Sequence, residues 1–333
     1  MLPRWVNPFG GYGFGVVTLE YTHLLVRYGE IGLKRRYARK RFEQTLLRNI
    51  RWAVRNREVK LVRRGNRILL ETCSIRETTV DLLKVFGVVS VSPAILVPLK
   101  KMDSAVLEYA SSLLEDTNSF ALRVRRVGSH TFTSRDVAQH LGARILAQHP
   151  NLKVDLTKPE KTINIEIRGD DVILFSEVFR GEGGLPVGTQ GCVIVFFDAQ
   201  PTSLVAAWLM LKRGCDIAPV TTPGDAELVE NYLKALEPWV PHKLCCETIP
   251  NMFSPGLARI AKERGARCLV TSETLGDPPS ESLEKFKRSD QVAPLPVLRP
   301  LIGYDKEEVE ALSRKILGQS TKTVVHPKWG GQA

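Results

Sequence analysis

Residues 23–28 (HLLVRY) make a short apolar run bounded by Gly29 and predict a β-strand. From residue 34 to 57 the period changes. Phe42, Leu46, Ile50 and Val54 recur every four positions as one apolar stripe, and that spacing predicts an amphipathic helix. Its remaining surface is strongly basic, with Arg35, Arg36, Arg39, Lys40, Arg41, Arg48, Arg51 and Arg55. Strand-like runs follow at 59–62 and 67–71, separated by the turn Arg63-Arg64-Gly65-Asn66. A helix near 75–85 and a strand near 88–91 complete a β-α-β-β-α-β order, the ferredoxin-like arrangement.

A second unit is expected from about residue 97. Residues 104–114 read as helix, and 120–126 (FALRVRR) alternate apolar with basic residues, as a half-buried strand should, its basic residues sharing the exposed face. A helix over 134–147, capped by Thr133 or Ser134, comes next. Ile163, Ile165 and Ile167 then share one face of a strand that turns at Gly169-Asp170-Asp171 into a hairpin. The run 181–188 (GEGGLPVG) holds four glycines and a proline, excludes regular structure and marks the clearest boundary.

Beyond it the texture is α/β. Residues 192–197 (CVIVFF) suit a strand covered on both faces, and 203–212 a helix. Further strands near 217–220 and 267–271, with helices near 226–236, 256–264 and 305–316, predict a mostly parallel sheet with helices on both faces. The expected division is 20–77, 78–180 and 189–318.

Composition narrows the class. With 43% hydrophobic and 25% charged residues, the 333-residue chain is globular rather than disordered or fibrous. No apolar run reaches the roughly 18 residues needed to cross a bilayer. The opening MLPRWVNPFGGYGFGVV lacks the pattern of a secretory signal, so a cytoplasmic location without membrane contact is expected. Its six cysteines show no metal-ligand spacing and are expected to be reduced thiols. Charge is uneven. Residues 1–100 hold 19 Lys and Arg against 7 Asp and Glu, while the whole chain carries +11, so the remainder is close to neutral. A basic block confined to one region points to a polyanion, with nucleic acid the leading candidate and a solvated surface the alternative.

Three ordered segments carry a resemblance. VRYGEIGLKRRYARKRFEQTLLRNI (26–50) resembles the start of the ferredoxin-like domain of the tRNA 4-thiouridine synthetases, also called tRNA sulfurtransferases. VDLTKPEKTINIEIRGDDVILFSEVFRGEGGLPVGTQG (154–191) is similar to the end of that family's THUMP domain and the linker after it. ARCLVTSETLG, with LPVLRPLIGYDKEEVEALSRKI downstream, is similar to the later part of its PP-loop domain. The resemblance implies an α+β N-terminal half, ferredoxin-like plus THUMP. A doubly wound, Rossmann-like PP-loop domain of the adenine nucleotide alpha hydrolase type then follows. It further implies that the first two units grip the acceptor end of tRNA, that ATP activates uridine 8 for sulfur transfer, and that the protein dimerises.

The candidate RNA contacts are Lys34, Arg35, Arg36, Arg39 and Lys40 on the first helix, and Arg123, Arg125 and Arg126 on the THUMP strand. Thr133, Ser134 and Arg135, at the next helix start, would add donors and a helix dipole for a phosphate. For each arginine taken singly, a surface ion pair is the alternative. His130 is a further phosphate candidate or a structural residue.

The sequence departs from the family at the nucleotide loop. The pattern Ser-Gly-Gly-x-Asp-Ser falls on Asp198-Ala199-Gln200-Pro201-Thr202-Ser203, which keeps only Ser203. Both glycines are gone, Pro201 has no N–H, and Asp198 sets a carboxylate where phosphates would lie. The motif Thr-Gly-Glu-x-Leu-Gly-Gln becomes Thr271-Ser272-Glu273-Thr274-Leu275-Gly276-Asp277. Sulfur-relay cysteines are missing, since the archaeal positions fall on Pro250 and Phe253 and the tail 319–333 has none. Cys245-Cys246 is either a relocated relay or an ordinary pair. Glu273 and Asp305 read as a loop cap and a helix N-cap rather than acid–base groups. The expectation is a tRNA-binding protein without catalysis and with no cofactor, its partners being tRNA and a second copy or an intact relative. The alternative is an active, ATP- and Mg²⁺-dependent sulfurtransferase making 4-thiouridine.

Overall fold

The computed structural model describes residues 20–64, 67–275 and 282–318. The first unit runs β1 (His23–Tyr28), a 3-10 turn (Glu30–Leu33), α1 (Arg36–Ala53), β2 (Lys60–Arg64), β3 (Arg67–Glu71), α2 (Ile75–Leu83) and β4 (Val88–Pro98). The α1 stripe Phe42, Leu46, Ile50 and Val54 is buried against Leu24 and Val26 of β1, Ile68 and Leu70 of β3 and Leu82 of α2. The helix starts at Arg36 rather than 34 because Arg35 has an extended backbone (ψ 153°), which ends the 3-10 turn before the α-helix begins. Residues 77 and 78, the expected first boundary, lie inside α2, which is fastened to this core.

β4 is longer than the predicted 88–91. Its residues 88–94 pair with β1. Residues 95–98 pair instead with β8 (Asp171–Phe175), with Ile95 opposite Leu174 and Pro98 opposite Asp171. The second unit thus grows from the same strand: α3 (Met102–Leu113), β5 (Ser119–Val127), α4 (Ser134–Gln148), β6 (Lys153–Val154), β7 (Lys161–Arg168), β8 and β9 (Phe179–Arg180). Among the described residues these nine strands form one sheet in the order β2-β3-β1-β4-β8-β7-β5-β6, with β9 on β4. Ile163, Ile165 and Ile167 point together into a core closed by α3 and α4, as their alternation predicts.

The opposite face coils around Leu25, Leu69, Ala94, Ile173 and Phe175. That coiling lets Arg67 of β3 reach Glu166 of β7, across three intervening strands, with hydrogen bonds of 2.9 and 3.0 Å. Arg168 adds a third at 3.2 Å, and the Glu166 side chain is only 7% exposed. Burial alone would raise the Glu166 carboxyl. Hydrogen bonding and charge from Arg67, with the charges of Arg168 and Arg27, outweigh it and hold the carboxyl below the ordinary glutamate value.

The third unit alternates strictly: β10 (Cys192–Phe197), α5 (Pro201–Lys212), β11 (Asp216–Thr221), α6 (Ala226–Leu236), β12 (Glu247–Thr248), α7 (Pro255–Arg264), β13 (Ala266–Val270), α8 (Ser282–Val292), β14 (Val297–Leu298) and α9 (Lys306–Ile316). All five strands are parallel, in the order β12-β11-β10-β13-β14. Residues of α5, α6 and α9 cover one face and those of α7 the other. The two-residue strands β12 and β14 are too short to show a period and escape prediction, as does the helix α8.

The glycine-rich run forms a tight joint. Gly87 N–H donates to the Gly183 carbonyl at 2.7 Å, and Leu185 N–H to the Lys212 carbonyl at 2.9 Å. Gly184 has φ +74°, and a Cβ there would lie 2.2 Å from the Lys212 carbonyl oxygen. Phe86 stacks on Trp239 at 5.2 Å and meets Trp208 edge-on at 5.3 Å, so aromatic packing reinforces the joint.

Two outcomes are expected. Gly184→Ala should lower the calorimetric unfolding midpoint, by the equivalent of roughly 2 kcal/mol or more, because both the dihedral and the close approach exclude a side chain. Glu166→Gln should cost about 3 to 5 kcal/mol in urea unfolding at neutral pH, since it leaves buried arginines uncompensated. With the folded-state value lowered, the native contribution is present at neutral pH and lost as pH falls through that value. The pH dependence of stability in that acid window should therefore flatten in the variant.

Candidate RNA interface and nucleotide loop

At the start of α1, Lys34, Arg35, Arg36 and Lys40 are exposed. Arg35, Arg36 and Lys40 have no carboxylate partner among the described residues, and the Lys34 ammonium lies 5.7 Å from the Phe42 ring centre. Arg39 differs from its neighbours. Its Nε donates to Glu43 Oε1 at 2.8 Å and its Nη2 to the Tyr28 hydroxyl at 3.0 Å, so a carboxylate already holds it. The expected five-cation cluster is therefore four free-standing cations around one paired arginine.

On β5, Arg123 and Arg125 share the exposed face, whereas Arg126, one residue on, turns to the other side. The period of two forbids all three from sharing a face. Arg126 Nη1 donates to the Gly128 carbonyl at 3.2 Å and sits 3.4 Å from His130 Nδ1. His130 Nε2 lies 2.9 Å from the Gly169 carbonyl, a structural role in which Nε2–H donates and Nδ1 accepts. At the start of α4, Thr133 and Asp136 form a capping box: the Thr133 hydroxyl accepts from Asp136 N–H, and Asp136 Oδ2 accepts from Thr133 N–H. Those bonds hold the Asp136 carboxyl below its usual range. The expected phosphate donors Thr133, Ser134 and Arg135 thus share their helix end with a resident carboxylate, because the cap was satisfied from within. No hydrogen bond or ion pair among the described residues joins the α1 group to the β5 group.

The parallel sheet changes direction between β10 and β13, where the crevice beyond the strand ends is the usual ligand position of this architecture. The loop Asp198-Ala199-Gln200 opens onto that crevice and leads into α5 with Pro201 at its first turn. Ala199 has φ +58°, a left-handed conformation that glycine takes at no cost. Gln200 N–H donates to Asp198 Oδ1 at 3.3 Å, and the Ser272 hydroxyl donates to Asp198 Oδ2 at 2.7 Å. The Ser203 hydroxyl and N–H both turn to the Gln200 carbonyl, at 2.7 and 3.0 Å, and Pro201 has no N–H. Thr202 keeps its place in the first turn. The Asp198 carboxylate thus stands in the loop with two hydrogen-bond donors of its own, and a polyphosphate brought there would meet its negative charge.

Across the crevice Thr271 Oγ1 donates to Glu273 Oε2 at 3.1 Å, and Arg299 Nε reaches the same oxygen at 2.7 Å. Arg299 also holds Asp290 at 2.7 Å and lies 4.5 Å from the Phe286 ring centre. Glu273 is thereby an anchor, in keeping with its reading as a structural residue, and Asp305 caps α9. The sequence marks Ser272 only as a departure from a family glycine, not as a partner of Asp198, and gives Arg299 no role, although both stand in segments that carry the family resemblance. Gly276 and Asp277 lie outside the described residues.

All six cysteines are free. Burial pushes the Cys246 thiol up to about 11, with Glu247 adding to the effect, which opposes thiolate formation at neutral pH; Cys245 is exposed. No cluster of metal-ligating side chains occurs among the described residues.

Residues 23–92 match the ThiI ferredoxin-like domain, 99–177 the THUMP domain and 229–328 thiamine biosynthesis protein (ThiI). A "Probable tRNA sulfurtransferase" of Methanobrevibacter smithii is 32% identical, over 90% of this chain and 87% of that protein. A "tRNA sulfurtransferase" of Pyrobaculum aerophilum is 33% identical, over 88% of this chain and 66% of that protein. Among solved structures, a 4-thiouridine synthetase–RNA complex with bound ATP superposes with TM-score 0.76 at 30% identity, covering 89% of this chain and 85% of that one. A protein from Pyrococcus horikoshii Ot3 gives TM-score 0.77 at 29% identity, covering 89% and 99%. The ferredoxin-like, THUMP and PP-loop architecture follows in the same order, and the chain belongs to the tRNA sulfurtransferase family.

Proposed function

We propose that the chain binds the acceptor region of tRNA through its N-terminal half and does not itself make 4-thiouridine. The observation that carries the second clause is the Asp198 carboxylate, held by Ser272 and Gln200 where the family loop receives phosphate. A nucleotide would have to break both hydrogen bonds and lie beside a like charge, with no glycine to let the backbone curl around it. ATP and Mg²⁺ therefore have no part in this reading. RNA binding is supported by the exposed cations of α1, by Arg123 and Arg125, and by the relative solved with RNA.

Calorimetric titration with ATP and Mg²⁺, with tRNA absent and present, should register no binding at millimolar nucleotide. Mass spectrometry of tRNA treated with the protein, ATP, Mg²⁺ and a persulfide donor should show no 4-thiouridine above a no-ATP control. Its appearance would establish the active sulfurtransferase instead. Restoring Ser-Gly-Gly-x-Asp-Ser over 198–203 should not by itself confer activity, because Asp277 and the family's cysteine positions, here Pro250 and Phe253, stay altered.

Charge reversal at Arg35, Arg36 and Lys40 together should weaken tRNA binding by about tenfold or more at 0.1 M salt and flatten its salt dependence. Arg39→Ala should do less to that slope, its charge being already paired with Glu43. An unchanged slope in the triple variant would move the interface elsewhere.

A further inference from the structure

Leu33 and Tyr37 are 89% and 87% exposed, the highest values among the large hydrophobic side chains of the described residues. Neither belongs to a core. At 100° per residue, Tyr37 stands on the opposite side of α1 from Leu46, the fully buried centre of the stripe. Leu33 ends a 3-10 turn whose core-facing residue is Ile31. Both sit inside the most basic stretch of the chain, LKRRYARK at 33–40, which has five cations and no acid.

Arg36, Tyr37, Arg39, Lys40 and Glu43, all on the first turns of α1, line a shallow hollow open to solvent. Glu43, its one carboxylate, is bonded to Arg39 at 2.8 Å and to the Tyr28 hydroxyl at 2.5 Å, so the hollow presents net positive charge to whatever enters. Its occupant must offer negative charge and a flat apolar face together. Nucleic acid does so, but a duplex hides its base faces in the stack. An unpaired nucleotide shows both.

We propose that Tyr37 is a stacking platform for an unpaired nucleobase whose flanking phosphates are held by Arg36 and Lys40. The assignment rests on the RNA-binding reading above and deepens it: the basic end of α1 takes single-stranded rather than paired RNA. Tyr28 and Glu43 serve it indirectly, by holding Arg39 in the wall.

The full chain should be titrated with a ten-nucleotide single-stranded RNA containing 2-aminopurine and, separately, with a blunt RNA duplex. Tyr37→Ala should weaken the single strand by about tenfold or more, yet change duplex binding by less than about twofold, because stacking acts only on an exposed base. It should also abolish the 2-aminopurine quenching that the unaltered chain produces. Tyr37→Trp should restore both affinity and quenching, and an unchanged thermal midpoint shows that the variants fold. Equal affinity of Tyr37→Ala and the unaltered chain for the single strand, or an equal loss on both probes, would overturn the proposal. So would a change of sedimentation coefficient with RNA affinity intact, which would assign the face to a second copy of the chain. Arg35→Glu with Arg36→Glu separates the two levels. If that pair weakens binding and Tyr37→Ala does not, stacking alone fails; if neither weakens it, the RNA reading fails as well.

Discussion

β4 has to satisfy backbone donors and acceptors along eleven residues, and it does so by dividing them between two neighbours, β1 for residues 88–94 and β8 for 95–98. Backbone hydrogen bonds in a ladder come with a fixed register, so this division leaves little freedom between the ferredoxin-like and THUMP units. The four helices of the N-terminal half pack on one face of the shared sheet, while Arg67, Glu166 and Arg168 tie its coiled reverse. Cations on α1 and β5 are consequently presented by one rigid body, which suits a partner as stiff as folded RNA. The joint at Gly183-Gly184 and the Phe86–Trp208–Trp239 packing extend that body to the third unit.

A helix start leaves backbone N–H groups in want of an acceptor, and in a PP-loop a bound phosphate provides it. In this chain no side chain caps α5. Asp198 accepts from Gln200 and Ser272, Ser203 turns back to the Gln200 carbonyl, and Pro201 removes one donor from the account. Such a loop is stable without a ligand, whereas a glycine-rich one is poised to receive it. Ala199 takes the left-handed backbone conformation that glycine adopts at no cost. Helix α4 differs: Thr133 caps it and the Asp136 carboxylate closes the capping box, at the helix end expected to meet an RNA phosphate. There the anion is built in.

Much of the fold was legible because periodicity is a local property. The stripe Phe42, Leu46, Ile50 and Val54, the alternation Ile163, Ile165 and Ile167, and the continuous run 192–197 each state which face of an element meets a core, and each is buried as expected. The extent of β4 was not legible, since the switch from one neighbour to another leaves no mark on the residues. Two-residue strands such as β12 and β14 are too short to show a period at all.

For the site, the sequence by itself determined the density of cations on α1, the family order of segments and the absence of glycine from 198–203. Those are matters of residue identity. What only the tertiary structure decided is how each polar group is employed. Arg39 is taken by Glu43 and by Tyr28 from a neighbouring strand, and Arg126 folds back on His130. Asp198 meets Ser272, which is 74 residues away. An apolar side chain needs only some other apolar surface, so its fate can be read from the pattern around it. A polar side chain needs a particular partner at a particular distance, and that partner arrives from wherever the fold has carried it.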